Sequence, residues 1–187
     1  MSQWLKHSMD ELNRMDPEKY KRSDKLPVSV ILDNVRSLMN VGSVFRTADA
    51  FRIQHVFLCG ITGKPPHREI EKTALGATQS VDWSHHPSAK VLVEKCKLIQ
   101  HKVYAVEQTK NSIALDRFFE TTGYSITQNP ITFIFGHEVE GVHQDLIDVC
   151  DGVIEIPQFG TKHSLNVAVS TGIVLWEIAR KIYSKES

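Results

Sequence analysis

Six short runs rich in β-branched and aromatic residues alternate along this chain with segments long enough to form helices. The predicted strands are residues 28–32, 55–59, 81–83, 102–106, 131–135 and 153–156. The predicted helices are residues 41–51, 69–76, 88–100, 113–119, 142–150 and 165–182. Strands separated by helix-length segments usually lie parallel in one sheet, joined by helical crossovers. The pattern therefore predicts an α/β fold, with a mostly parallel sheet of about six strands flanked by helices.

Composition limits the classes of protein to which this chain can belong. Its 187 residues, of which 41% are hydrophobic, are enough for one domain with its own core. No apolar run reaches the roughly 18 residues that a membrane-spanning helix needs, and residues 1–10 are too polar for a signal peptide. The cysteines, Cys59, Cys96 and Cys150, are far apart, which is typical of reduced thiols. We therefore expect a cytoplasmic protein without a membrane partner.

Residues 1–26 are charged and mildly helical, and we predict that they form an appendage before a main domain of residues 27–187. Ser8 and Glu11 have the spacing of a helix-capping box. The 22 basic and 22 acidic residues cancel, so a nucleic-acid-binding surface would have to be local. Any single basic cluster is more easily explained as a solvated face. The candidate clusters are Arg14, Lys19, Lys21, Arg22 and Lys25, and then Lys64, His67, Arg68 and Lys72.

Three of the predicted strands are followed by polar residues and glycines that lie directly before a helix. Any one of these residues is as easily explained by helix capping or by a tight turn. Three such junctions in one small domain favour a binding site at the carboxyl edge of the sheet. The first junction contains Asn40, Gly42 and Arg46, the second contains Gly136, Glu138 and Gly141, and the third contains Ile156, Ser164 and Asn166.

Several familiar sites are excluded by their missing motifs. The chain has no G-x-G-x-x-G for a dinucleotide and no G-x-x-x-x-G-K-[ST] for a nucleoside triphosphate. It also lacks the G-x-S-x-G of an esterase nucleophile, and Ser164 has no flanking glycines. His67, His85 and His86 have no cysteine or carboxylate at metal-ligand spacing, so we predict no metal site.

The junctions, in this order and at these separations, resemble the motifs of a known enzyme family. They read Asn40-x-Gly42-x-x-x-Arg46-Thr47-Ala48, then Gly136-x-Glu138-x-x-Gly141, then Ile156-Pro157 with Ser164-Leu165-Asn166-Val167. Residues 72–77 resemble a further segment of the same family. On these motifs, residues 27–182 resemble the SpoU (TrmH-like) RNA ribose 2′-O-methyltransferases of the SPOUT superfamily.

The resemblance implies a fold, a cofactor and an assembly beyond what the residue patterns indicate. It implies a C-terminal trefoil knot, which is an exception among protein folds. It also implies S-adenosylmethionine as cofactor, tRNA or rRNA as substrate, and a homodimer with active sites at the subunit interface. The cofactor-binding residues would be Glu107, Gly136, Ile156, Ser164 and Leu165. The catalytic residues would be Arg46, Asn40, Glu138, Ser164 and Asn166.

Methyl transfer to a ribose requires alignment of the two reactants and activation of a weakly acidic hydroxyl. The resemblance assigns activation to Arg46, sometimes as a general base. Because arginine keeps its proton in proteins, we favour an electrostatic role in which Arg46 stabilises the developing alkoxide. We expect Asn40 and Glu138 to hold the Arg46 guanidinium in place.

Two histidines and two other functions remain open at this point. His137 or His163 could act as a base near neutral pH, but loop histidines more often contact backbone or solvent. The same fold also supports methyl transfer to a base nitrogen, or a catalytically silent RNA-binding module. Asn40 and Arg46, together with residues 164–166, favour the ribose.

Overall fold

The computed structural model describes residues 4–8, 15–125 and 129–183, and its centre is one parallel sheet of seven strands. The spatial order of the strands is β3-β2-β1-β6-β4-β7-β5. The strands are β1 Leu26–Asp33, β2 Ile53–Cys59, β3 Trp83–His86, β4 Lys102–Val106, β5 Ile113–Ala114, β6 Ile131–Phe135 and β7 Gly152–Glu155. The helices are α1 Pro17–Arg22, α2 Leu38–Ala50, α3 Arg68–Ala74, α4 Ala77–Ser80, α5 Ala89–Leu98, α6 Phe118–Thr122, α7 Gln144–Ile147 and α8 Val167–Tyr183.

Apolar side chains on both faces of the sheet explain why the central strands read as continuous hydrophobic runs. Along β1, Val30 and Leu32 join one apolar cluster and Ile31 joins the other, as the two-residue period of a strand requires. The first cluster includes Phe45 of α2 and residues of α8, and the second includes residues of α5 and α7. Helices on both faces bury all of β6 and all of β1 except Pro27, which confirms the predicted α/β architecture.

The structure corrects the sequence prediction at three elements. The strand predicted at 81–83 lies later in the chain, as β3, because residues 83–86 are the ones that pair with β2. The predicted helix 113–119 begins instead as strand β5, because Ile113 and Ala114 pair with β7, and a short 3₁₀ turn separates that strand from α6. The predicted helix 142–150 shrinks to α7. Its start is lost because the Val142 amide bonds to the Glu107 carboxylate, and its end is lost to tight turns at Val149 and Cys150.

Helix α1 of the N-terminal segment packs against the sheet domain. Tyr20 of α1 is buried in the core, and its hydroxyl donates to the Ala48 carbonyl oxygen at 3.4 Å. The capping box at Ser8 and Glu11 falls partly outside the described residues. The domain boundary near residue 27 and the trefoil knot stay predictions. Every helix within the described ranges is too short or too polar to cross a membrane.

Candidate active site

The polar junctions meet at one edge of the sheet because β1, β6, β4 and β7 are neighbours and all run in the same direction. Their carboxyl ends therefore lie side by side, which is where ligands bind in open α/β sheets. We name the loops by one residue of each. The Asn40 loop comprises residues 34–37 together with the start of α2 up to Asn40, the Glu138 loop residues 136–141, and the Ser164 loop residues 156–166.

The Glu138 loop is a tight turn closed by backbone hydrogen bonds. The His137 amide donates to the Gly141 carbonyl at 3.0 Å, and the Gly141 amide donates to the His137 carbonyl at 2.9 Å. Two glycines make this approach possible. A Cβ on Gly136 would collide with the Gly141 carbonyl, and Gly141 has φ +67°, a left-handed conformation that favours glycine.

The Glu138 carboxylate ties its own loop to the Asn40 loop. It accepts from the backbone amides of Arg36 and Ser37 at 3.0 and 2.9 Å, and from the Asn40 side-chain amide at 3.2 Å. The Asn40 side-chain oxygen accepts in turn from the Asn166 amide at 3.1 Å. Glu138, Asn40 and Asn166 therefore join the three loops through one chain of hydrogen bonds.

Hydrogen bonding keeps Glu138 ionised. Burial alone would raise the pKa of this carboxyl group, but the amide hydrogens of Arg36 and Ser37, with the Asn40 amide, favour the charged form more strongly. The net result is a pKa below the ordinary value. An ionised Glu138 can accept all of these bonds at once, which a protonated carboxyl group could not do equally well.

Two caps fix the helices that follow the loops. Ser37, rather than Asn40, caps α2, because its hydroxyl accepts from the Asn40 backbone amide at 3.2 Å. Asn166 caps α8, since its side-chain oxygen accepts from the Ala168 and Val169 amides at 2.9 and 3.4 Å. Asn166 therefore caps α8 and also bonds to Asn40. Sequence reasoning overlooked Ser37, although a serine directly before an apolar helix is a capping signal.

A cavity of about 650 Å³ lies between the Glu138 loop, the Ser164 loop and the end of β4. Four carboxylates line it, and no lysine or arginine does among the described residues. Its walls also include Ile156, Leu165 and all the other residues predicted to bind the cofactor, with His137 and His163. The four carboxylates belong to Glu107, Glu138, Glu140 and Glu155, of which sequence reasoning overlooked Glu140 and Glu155.

Glu107 supports the cavity wall from β4. One carboxylate oxygen accepts from the Val142 amide at 3.1 Å and the other from the Gln108 amide at 2.8 Å. A Cβ on Gly141 would collide with the first of these oxygens. Glu107 therefore fixes the far end of the Glu138 loop as well as lining the cavity.

Comparison with known proteins identifies the family. Residues 27–176 match the family model described as SpoU rRNA Methylase family.

This chain belongs to the SpoU family.

Relatives and solved structures agree with that assignment. The chain is 28% identical over 171 residues to the tRNA (guanosine(18)-2′-O)-methyltransferase of Thermus thermophilus, covering 91% of this chain and 84% of that protein. It is 30% identical to the 23S rRNA (guanosine-2′-O-)-methyltransferase RlmB of Haemophilus influenzae, covering 91% of this chain and 67% of the relative.

The SpoU fold is also evident from solved structures. The A. aeolicus TrmH/SpoU tRNA modifying enzyme superposes with a TM-score of 0.77 at 25% identity, covering 91% of this chain and 82% of that one. The AdoMet-bound rRNA methyltransferase from Sinorhizobium meliloti gives 0.73 at 25% identity, covering 86% and 61%. That second protein was solved with S-adenosylmethionine bound.

Arg46 is the one predicted catalytic residue of this SpoU protein that lies apart from the others. It follows Asn40 by six residues on α2, which places it about 9 Å along the helix axis and about 120° around it. Arg46 is exposed, does not line the cavity, and makes no side-chain hydrogen bond with any described residue. The Glu138 carboxylate binds the Asn40 loop instead of the Arg46 guanidinium. The prediction that Glu138 and Asn40 hold the Arg46 of the same chain is therefore wrong.

Proposed function

We propose that this protein transfers the methyl group of S-adenosylmethionine to the ribose 2′-hydroxyl of a tRNA or rRNA nucleotide. The observation that carries the proposal is the hydrogen-bonded chain from Glu138 through Asn40 to Asn166, which joins the three SpoU motifs beside one cavity. The relatives' activities support the ribose as acceptor. The three cysteines form no disulfide among the described residues, which is consistent with action in the cytoplasm.

The cavity fits S-adenosylmethionine in size and charge. Cofactor sites of this kind usually occupy 300–1,000 Å³, and about 650 Å³ lies within that range. Four carboxylates without a lining lysine or arginine suit a cofactor with a cationic sulfur and a cationic amino group. Ile156 and Leu165 add apolar surface for an adenine ring. When bound, the cofactor supplies a methyl group on a positively charged sulfur that is already a good leaving group.

Some side chains of the site hold the loops in position, and others remain available to contact the cofactor or the RNA. Both polar ends of the Asn40 side chain are hydrogen-bonded, to Glu138 and to Asn166, so Asn40 fixes the loops rather than reacting. The Ser164 hydroxyl has no partner among the described residues and faces the cavity, so it is free to bind the cofactor or the nucleotide. Arg46 is free as well, and we assign to its guanidinium the stabilisation of negative charge on the 2′-oxygen.

A homodimer would bring Arg46 to a cavity that it cannot reach within its own chain. An exposed apolar stripe is available for the second copy, because Val169, Ile173 and Trp176 share one face of α8 and are 50%, 37% and 57% exposed. Helix α8 packs against α2, the helix that presents Arg46. We propose that a two-fold symmetric contact through this stripe brings each Arg46 to the partner's cavity.

Exposed cations near the same edge of the sheet suit an RNA backbone. Arg36 follows β1, Lys64 follows β2, and Arg68 and Lys72 lie on α3, which bonds to the start of α2 through Thr73 and the Met39 carbonyl at 2.9 Å. None of these four cations forms an ion pair with another described residue. Free lysines and arginines beside a reaction site are the arrangement that phosphate binding requires.

The decisive experiment is methyl transfer from labelled S-adenosylmethionine to unmodified tRNA and rRNA, followed by mass spectrometry of the nucleosides. We expect label on ribose. Arg46→Lys should lower turnover about 100-fold while RNA still binds, because the compact ammonium cannot reproduce the planar donor set. Arg117→Lys, at an exposed arginine outside the cavity lining, is the matched control and should behave as the parent protein. Label on a base nitrogen, or no label with any RNA, would contradict the proposal.

Mixing two inactive variants tests the shared active site. Arg46→Ala and Asn40→Ala should each be inactive alone. A heterodimer of the two contains one site with Asn40 from one subunit and Arg46 from the other, so an equal mixture should regain about a quarter of the parent activity. Introducing Ile173→Glu into both chains should prevent this recovery and give a monomer by light scattering. Absence of recovery in a mixture shown to contain heterodimers would exclude action of Arg46 across the interface.

A further inference from the structure

His137 makes an unusual contact for a histidine beside a reaction site. Its Nδ1 atom accepts hydrogen bonds from the backbone amides of Val139 and Glu140, each at 3.2 Å. Acceptors at this position of a turn are usually the side-chain oxygens of Ser, Thr, Asn or Asp, which bond to amides two and three residues ahead. The imidazole therefore closes the Glu138 loop from inside, together with the backbone pairing of His137 with Gly141.

These two bonds fix the protonation state of the ring. An imidazole nitrogen can accept a hydrogen bond only through its lone pair, so Nδ1 carries no proton and the neutral ring holds its hydrogen at Nε2. Protonation would convert Nδ1 into a donor pointing at two amide hydrogens. Both hydrogen bonds would then be lost and replaced by repulsion. Imidazole is the side chain that makes this change near neutral pH.

We propose that His137 is a positioning residue whose neutral ring closes the Glu138 loop, and that its protonation opens the loop and weakens cofactor binding. The inference rests on the proposed function, because it concerns the regulation of the same cavity. It uses a histidine that takes no part in the chemistry proposed above.

The connections of the Glu138 loop transmit the change to the site. Glu138 lies between His137 and the first amide donor, Val139, so the turn sets the direction in which the Glu138 carboxylate points. That carboxylate holds Arg36, Ser37 and Asn40. Opening the turn therefore displaces a cavity wall and also releases the tie to the Asn40 loop.

Other charged groups lie near the ring, and their effects must be distinguished from that of His137 in any pH-dependent measurement. Glu138 and Glu140 belong to the same loop, and Glu107 approaches from the end of β4. His163 lines the cavity from the Ser164 loop, and His143 lies 3.4 Å from Glu140 just before α7. The two other histidines provide the controls.

The free protein gives the first test, without cofactor or RNA. Nitrogen-15 NMR should find the His137 proton on Nε2 at pH 8, and hydrogen exchange of the Val139 and Glu140 amides should accelerate when the ring is protonated. A proton on Nδ1 at pH 8 would overturn the proposal. So would exchange rates of the Val139 and Glu140 amides that do not change when the ring is protonated. These results do not depend on whether the protein methylates RNA.

Cofactor affinity gives the second test, by calorimetry with S-adenosylmethionine between pH 8 and pH 5.5. The parent protein should lose about tenfold or more in affinity as the two hydrogen bonds break. In His137→Asn the amide oxygen occupies the place of Nδ1 and cannot be protonated, so this variant should bind at pH 8 and keep its affinity at pH 5.5.

Three control variants complete the comparison. His137→Gln places its amide too far along the side chain and should bind weakly at both pH values. His163→Asn and His143→Asn should show the same acid loss as the parent. An acid loss in His137→Asn equal to that of the parent would overturn the proposal. No binding by any variant, with the NMR and exchange results as expected, would contradict the proposed function and leave the role of His137 supported.

Discussion

The Glu138 loop and the Ser164 loop face each other across one cavity, yet they are held in different ways. Two backbone hydrogen bonds, the His137 ring, Glu138 and Glu107 hold the Glu138 loop. In the Ser164 loop, residues 159–166 are exposed, Phe159 is 98% exposed, and only Asn166 among the described residues of the loop makes hydrogen bonds. A loop that is already held in its bound conformation adds no conformational-entropy cost to binding. A loop without such hydrogen bonds must be ordered when its ligand or partner binds, which lowers the affinity. One wall of the cavity is thus preorganised and the other is shaped by what binds.

The largest expected difference between the loops comes from adding one methyl group to each. Gly136→Ala should destabilise the fold by about 1–3 kcal/mol and abolish cofactor binding, because its Cβ would collide with the Gly141 carbonyl and force the turn apart. Gly160→Ala is the matched control in the Ser164 loop, since nothing lies within 4 Å of the added atom. Thermal unfolding and calorimetry measure both effects. Equal losses in the two variants would remove the distinction between the loops.

A smaller effect should be seen in hydrogen exchange of the unmutated protein. The amides of His137 and Gly141 should exchange slowly with or without S-adenosylmethionine, because their hydrogen bonds exist before binding. The amides of residues 158–165 should exchange quickly in the free protein and more slowly once the cofactor is bound. Mass spectrometry of short peptides resolves the two loops. Slow exchange of the Ser164 loop in the free protein would mean that both walls are preorganised.

The sequence predicted the loops better than it predicted the contacts between them. The strand 131–135 was evident because four apolar residues and one β-branched threonine in succession are typical of a strand buried on both faces. Strand β5 was missed because two residues are too few for a pattern, and only their pairing with β7 makes them a strand. The partner of Glu138 was predicted wrongly for a related reason. Which donors surround a carboxylate depends on how loops about 100 residues apart in the chain meet in space.

The smallest expected effect concerns the charge on Glu138 itself. Because its pKa in the folded protein lies below the ordinary 4.5, ionisation of Glu138 stabilises the fold above that value, and this contribution is lost as the pH falls through the lower folded pKa. Glu138→Gln should therefore lower the melting temperature most near neutral pH, and the difference from the parent should shrink as the pH falls below the ordinary pKa of a glutamate.

Glu140→Gln is the matched control for this acid effect. Glu140 is an exposed carboxylate of the same loop whose one side-chain partner among the described residues is His143, and it accepts no hydrogen bond from a described backbone amide. Its variant should show no acid-dependent difference of this kind. If Glu138→Gln and Glu140→Gln gave parallel curves between about pH 3 and 7, the backbone amides of the Asn40 loop would not be holding the Glu138 charge, and the Glu138 loop would be tied only by its own turn.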